Sequence, residues 1–259
     1  RGHGHFRFHA FLHRYHSIDA AFAGLGAMAS WITHARLADL LLAQMPDWDR
    51  VGLAVGSVAP DCNVENADWS AFAPPRETTH WMRGQSKDTA DYRGFYEKHI
   101  RARSFASQWE RAYLLGYCAH LIADATWQTW LRDAARVRAV FERLHAWPDG
   151  MRILGNAPET FDALKAIFGK QMLFSDIACL EAEYYHTRPE SVYRTVLMQH
   201  GDWSDPLGLL PPGAIGRKLR IMAAAPTAAP EAFTGIFVSR REYETFLICA
   251  SERMRNVFF

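Results

Sequence analysis

His120 and Asp124 stand four residues apart in the stretch GYCAHLIAD, with Ala119, Leu121, Ile122 and Ala123 around them. On a helix this spacing projects both side chains from one face, one turn apart, and the apolar neighbours place that face inside the protein. A carboxylate there is costly unless it is paired or holds a cation. A histidine and an aspartate one turn apart can chelate a single zinc ion with little loss of side-chain freedom. Three further short segments offer ligand-type side chains in apolar or turn settings: Trp31-Ile-Thr-His34, the run GSVAPD ending at Asp61, and Thr78-Thr-His80-Trp81. Each has an ordinary explanation. His120 and Asp124 can be a hydrogen-bonded pair, His34 the polar side of an amphipathic helix, Asp61 after Pro60 a helix N-cap, and His80 a packing partner of Trp81. Taken together, a set of imidazole and carboxylate donors without thiolates suits zinc in a hydrolytic site. Cys62, Cys118, Cys179 and Cys249 are scattered, with no CxxC pair, and read as free thiols rather than a disulfide framework.

The elements that must carry these residues are helical. Ile32, Leu37, Leu40 and Leu41 recur at helical spacing before Pro46 ends the run. Residues 88–102 and 106–131 read as helices, the second long and mostly buried. Further helical windows fall at 159–168, 171–185, 190–200, 213–225 and 240–255, and 71–77 (AFAPPRE) reads as an irregular loop because of Pro74 and Pro75. Strand alternation is almost absent, so the expected class is all-α, one domain of about eight or nine helices over residues 28–259. Of 259 residues 49% are hydrophobic and 13% aromatic, which excludes bulk disorder, and a net charge of +1 gives no general attraction to nucleic acid or anionic membrane. No apolar run is long enough for a transmembrane segment. Residues 1–27, rich in histidine and glycine, read as a tag, an upstream extension or a targeting segment, with Met28 as the natural start and a cytoplasmic location expected; cleavage before Trp31 would instead imply export.

The motifs SWITH, GSVAPD, THW and GYCAHLIAD, in that order, resemble the zinc-dependent phospholipase C and fungal single-strand nuclease superfamily, closest to its intracellular-looking zinc-dependent phospholipase C branch. The resemblance covers roughly 29–130 and implies an all-helical fold with one to three zinc ions, two being expected. It implies that Asp61, His80, His120 and Asp124 hold one zinc, that Asp124 bridges to a second, and that His34 serves that second ion. Trp31 looks like the residue that in secreted members supplies a free amino terminus, but residues precede it here. Where the family places a further histidine four residues after the aspartate, this chain has Gln128; His145 and Asp149 are separated by Pro148, and Asp176 is the candidate replacement ligand, with a solvated helix position as its alternative. Cys62 and Glu77 stand where the choline-cleaving enzyme has aromatic side chains, so choline specificity is not implied, although Trp69, Phe72, Trp81 and Trp127 offer other aromatic faces.

The implied reaction is hydrolysis of a phosphodiester, with a phospholipid as the expected substrate. Zinc lowers the pKa of bound water toward about 7 and so makes hydroxide available for attack on phosphorus. Asp61 and Asp124 are the expected catalytic carboxylates, Asp61 orienting or deprotonating the water, with Arg76 or Arg83 near the phosphate. The alternatives are a single-strand nuclease-like phosphodiesterase, and a degenerate, metal-stabilised helical protein without catalysis.

Overall fold

The structure is a computed structural model that describes residues 29–147 and 149–259. The expectations for 1–27 and for Met28 and Pro148 lie outside the described residues. Twelve helices are present among them: α1 (Trp31–Gln44), α2 (Arg50–Gly56), α3 (Arg76–Thr79), α4 (Tyr92–Tyr96), α5 (Gln108–Leu131), α6 (Ala134–His145), α7 (Gly150–Leu154), α8 (Phe161–Leu173), α9 (Ser175–Thr187), α10 (Val192–Thr195), α11 (Ala214–Met222) and α12 (Arg240–Phe258). A two-residue antiparallel hairpin, β1 (Val64–Glu65) with β2 (Phe72–Ala73), pairs Val64 with Ala73 and Glu65 with Phe72. The all-α reading is therefore right. The long run read as one helix over 88–102 is broken. Lys87–Thr89 form a single 3-10 turn, Asp91 caps α4 by accepting from the Gly94 amide, and Glu97–Arg101 continue it with π-type bonding. Helix α6 went unread in the sequence, although Val137, Val140, Phe141 and Leu144 bury one of its faces at helical spacing.

The organising element is α5, whose 24 residues run through the interior. Ser107 starts it by accepting from the Glu110 amide. Its end is closed from α6: the buried Arg136 donates to the carbonyls of Trp130 and Leu131, and to Phe237 across the fold. These bonds satisfy carbonyls that a helix end leaves without an intrahelical partner. Helix α2 lies against α5 at backbone distance, and glycines make that possible. A Cβ on Gly56 would sit 2.0 Å from the Tyr113 carbonyl oxygen, and one on Gly116 2.3 Å from that of Leu53. This close crossing sets the turn after α2, with Ser57 and Asp61, directly over His120 and Asp124.

Candidate metal centre

Four elements deliver the site. Helix α1 brings His34, and its first turn is pinned by the buried Glu181 of α9. Glu181 accepts from the Ser30 and Thr33 hydroxyls, and Thr33 also bonds Tyr243 of α12 at 2.7 Å. The 3-10 turn Ala59–Asp61 after α2 brings Asp61, and the end of α3 brings His80. Helix α5 brings His120 and Asp124 from one face. His34, His80, His120 and Asp124 are buried, and the Asp61 side chain is 8% exposed.

The donor atoms converge closely. His120 Nε2 lies 3.3 Å from His80 Nε2 and 3.1 Å from Asp124 Oδ2. His80 Nε2 lies 3.1 Å from Asp61 Oδ1 and 3.6 Å from Asp124 Oδ2. His34 Nε2 is 3.7 Å from Asp124 Oδ1, and the His34 and His120 rings stack with centroids 4.0 Å apart. Two compact groups result, His34 with Asp61 and His120, and His80 with His120 and Asp124.

The second ring nitrogens decide what this cluster wants. His120 Nδ1 is 2.8 Å from the Ser57 carbonyl oxygen and His80 Nδ1 is 3.1 Å from that of Arg76. A carbonyl only accepts, so each Nδ1 carries a hydrogen and each Nε2 faces the centre. Burial, with Lys87 nearby, lowers the His80 pKa to about 4, and burial together with the His120 charge lowers that of His34 to about 3. Both rings are thus neutral at pH 7. Lone pairs of two imidazoles and the oxygens of two carboxylates face one another across about 3 to 4 Å, an arrangement that calls for a cation. His34 Nε2 and Asp124 Oδ1 are moreover buried with no hydrogen-bond partner. The residues fit a zinc ion by donor type, by donated second-nitrogen hydrogen bonds and by these orphaned atoms.

One cation of the chain itself is already there. Lys87, on the turn between α3 and α4, is 8% exposed, and its Nζ lies 2.5 Å from Asp124 Oδ2 and 3.5 Å from Asp61 Oδ1. The turn closes on itself through a Met82–Ala90 bridge and a bond from the Asp91 amide to the Trp81 carbonyl, with Trp81 in left-handed backbone (φ 50°). Burial alone would raise the Asp61 and Asp124 pKa values, but the Lys87 ammonium and the neighbouring imidazoles hold both well below the usual carboxylate range. Sequence reasoning missed Lys87, because the polar stretch RGQSKDTAD carries no periodicity that buries it; the only available signal was the scarcity of lysine in an arginine-rich chain.

The remaining sequence candidates lie elsewhere or act differently. Trp31 follows the cap Ser30, and its indole Nε1 donates to Asp61 Oδ2 at 3.1 Å. Gln128 is turned to Arg132, whose guanidinium donates to its Oε1 at 2.7 Å. Asp176 is neither a solvated position nor a member of the cluster. It is buried, and its Oδ1 accepts from the Thr234 amide and hydroxyl and the Gly235 amide, while its Oδ2 accepts from the Phe237 and Val238 amides. His145 ends α6 and Asp149 precedes α7, so they share no helix. Arg83 pairs with Asp91 on the surface. Arg76 borders a pocket beside Asp61, lined also by Asn63, Trp69, Phe72, Lys218 and Met222, with its guanidinium 3.9 Å from the Phe72 ring centroid.

No curated protein and no solved structure matches the chain. Residues 33–127, the part that holds all five donors and Lys87, match the family model described as zinc dependent phospholipase C, and the resemblance read from the motifs stands on that match.

Proposed function

We propose that the protein is a zinc-dependent phosphoesterase that hydrolyses a phosphodiester, with a phospholipid as substrate, and that His34, Asp61, His80, His120 and Asp124 hold the metal. The observation that supports this most is the meeting of ligand-type atoms: the Nε2 atoms of His120 and His80, held inward through the Ser57 and Arg76 carbonyls, and two carboxylates with one orphaned oxygen, of which Asp61 also lines a small pocket. When bound, zinc supplies Lewis acidity toward the phosphate and makes water more acidic.

The chain's own residues do the rest. Asp61 lines the pocket, and Trp31 and His80 fix its orientation, so it is placed to align the attacking water. Arg76 makes no ion pair among the described residues and borders the same pocket, where it can neutralise a phosphate oxygen. Its backbone carbonyl also holds His80, so one short helix both orients a ligand and presents the phosphate-binding side chain. Trp69 and Phe72 form the apolar side of the pocket.

No helix among the described residues is long and apolar enough to cross a membrane. For the function itself, the decisive variant is His120→Ala. It should lose zinc, measured by elemental analysis, and lose hydrolysis of a p-nitrophenyl phosphodiester, while full activity with stoichiometric metal would refute the assignment. Release of phosphorylated headgroup from phospholipid, compared with nucleotides from single-stranded DNA, separates the lipase from the nuclease.

A further inference from the structure

The pocket beside Asp61 has two aromatic walls, Trp69 and Phe72 of the β1–β2 hairpin, and rings of this kind are what a quaternary ammonium headgroup would use. Cations of the chain already stand on them. Lys218 of α11 places its Nζ 4.8 Å from the Trp69 ring centroid and 5.6 Å from that of Phe72, and the Arg76 guanidinium is 3.9 Å from the Phe72 centroid. The other two aromatic candidates are no freer. Lys98 lies 5.2 Å from the Trp81 ring, and Trp127 is buried among Trp130, Phe174 and Phe246.

Positive charge on this wall is in excess. Lys218 is 2% exposed and bonds Glu65, but Arg217 bonds the same carboxylate at 2.6 and 3.1 Å, so one positive charge is left over. Arg76 makes no ion pair among the described residues. Lys170 of α8 adds a further cation nearby, its pKa lowered by burial and then by Lys165 and Arg76. Against these stands Asp61, the one carboxylate among the lining residues, and it is engaged by His80, Trp31 and Lys87. Two cations facing one small ring repel each other, and an anion set beside them removes that cost. An ammonium would find the rings occupied and meet like charge.

We infer that this pocket takes an acidic group of the substrate, a carboxylate or a second phosphate on the headgroup alcohol, and rejects a quaternary ammonium there. The inference rests on the phosphodiesterase reading above and names its substrate class. Arg76 has five N–H donors, enough to serve the reacting phosphate and the acidic group together. Lys218, held on Glu65, acts through its field as a specificity-determining charge.

Hydrolysis of p-nitrophenyl phosphodiesters that differ only in the second alcohol tests this on the intact chain. With glycolate, ethanol and choline as that alcohol, kcat/KM should fall in this order, at least tenfold from the first to the last and mainly through KM. An acidic ester no better than the ethyl ester, or a choline ester as good as it, would overturn the inference and leave phosphodiester hydrolysis standing. No turnover of any ester would overturn that reading, and this inference with it. Calorimetric titration with phosphoglycolate and with phosphocholine should show the same preference in binding, and an equal or reversed order would overturn it. Lys218→Met should reduce the acidic-to-choline ratio of kcat/KM at least threefold, and an unchanged ratio would overturn the role given to Lys218. Arg217 remains on Glu65 in this variant, and the wild-type series decides the substrate class even if the variant does not fold. Diacylglycerol release from cardiolipin vesicles, compared with phosphatidylcholine vesicles, separates the sources of the acidic group. A preference there as well places it on a lipid, and a preference confined to the soluble esters places it on a soluble phosphodiester.

Discussion

Asp124 and Asp176 are both about 1% exposed, both on helices and both surrounded by apolar core, yet they answer the cost of burial in opposite ways. Asp176 spends its two oxygens on a loop: amides of Thr234, Gly235, Phe237 and Val238 and the Thr234 hydroxyl saturate it. That carboxylate ties α9 to the segment leading into α12, where the Ser239–Glu242 capping box begins. Asp124 meets imidazole lone pairs and one ammonium, and keeps an oxygen with no partner. The difference between a structural and a chemical carboxylate therefore lies in what faces it. Donors already committed make a staple, while acceptors facing acceptors make a socket.

The comparison can be broken by a pair of substitutions. Asp124→Asn should weaken zinc binding by roughly 100-fold or more while the chain still folds, because a ligand is lost but the amide fills the same space. Asp176→Asn should do the reverse. It leaves zinc stoichiometry unchanged, and it costs about 3 kcal/mol of stability, since an NH2 then faces amide donors. Elemental analysis and urea titration on the two variants check both halves, and a shared phenotype would collapse the distinction. A smaller effect should follow from Gly56→Ala, which places a methyl against the Tyr113 carbonyl. Overpacking of this kind costs about 1–3 kcal/mol. Because the same crossing holds Ser57 over His120, zinc affinity should fall with stability in this variant, as it does not in Asp176→Asn.

Acid gives the mildest test. The His34 and His80 pKa values are lowered to about 3 and about 4, mainly by burial, whereas an unfolded histidine titrates near 6.5. The unfolded chain therefore binds more protons between these values. The contribution of the neutral rings is full above about pH 6.5 and is lost as the pH falls toward the folded values. Urea midpoints of the metal-free protein, measured downward from pH 7.5, should decline through that window, and a flat profile would contradict two neutral rings.

Where sequence and structure agree, the interactions are local. His120 and Asp124 are legible because four residues make one helical turn, and α5 because its apolar run is long. His34, Asp61 and His80 are candidates by residue type and setting, but only motif order joins them into one site, since their meeting depends on a helix crossing that no local pattern encodes. Asp176 was misread because its partners lie about sixty residues further on, in a loop whose amides have no sequence signature. Helix α6 was missed although its spacing was visible, its arginines masking an apolar face. Lys87 shows the limit most clearly, for its burial is a property of the closed turn around it and of the carboxylates opposite.

The bond from Trp31 to Asp61 has an optical consequence. Indole emission responds to the electric field along the ring, and this indole is buried with its N–H on a carboxylate of the centre. Loading the site with a divalent ion changes the charge at the far side of that carboxylate. Trp31 is one of nine tryptophans, so its share should show as the part of a zinc-dependent emission change that Trp31→Phe removes.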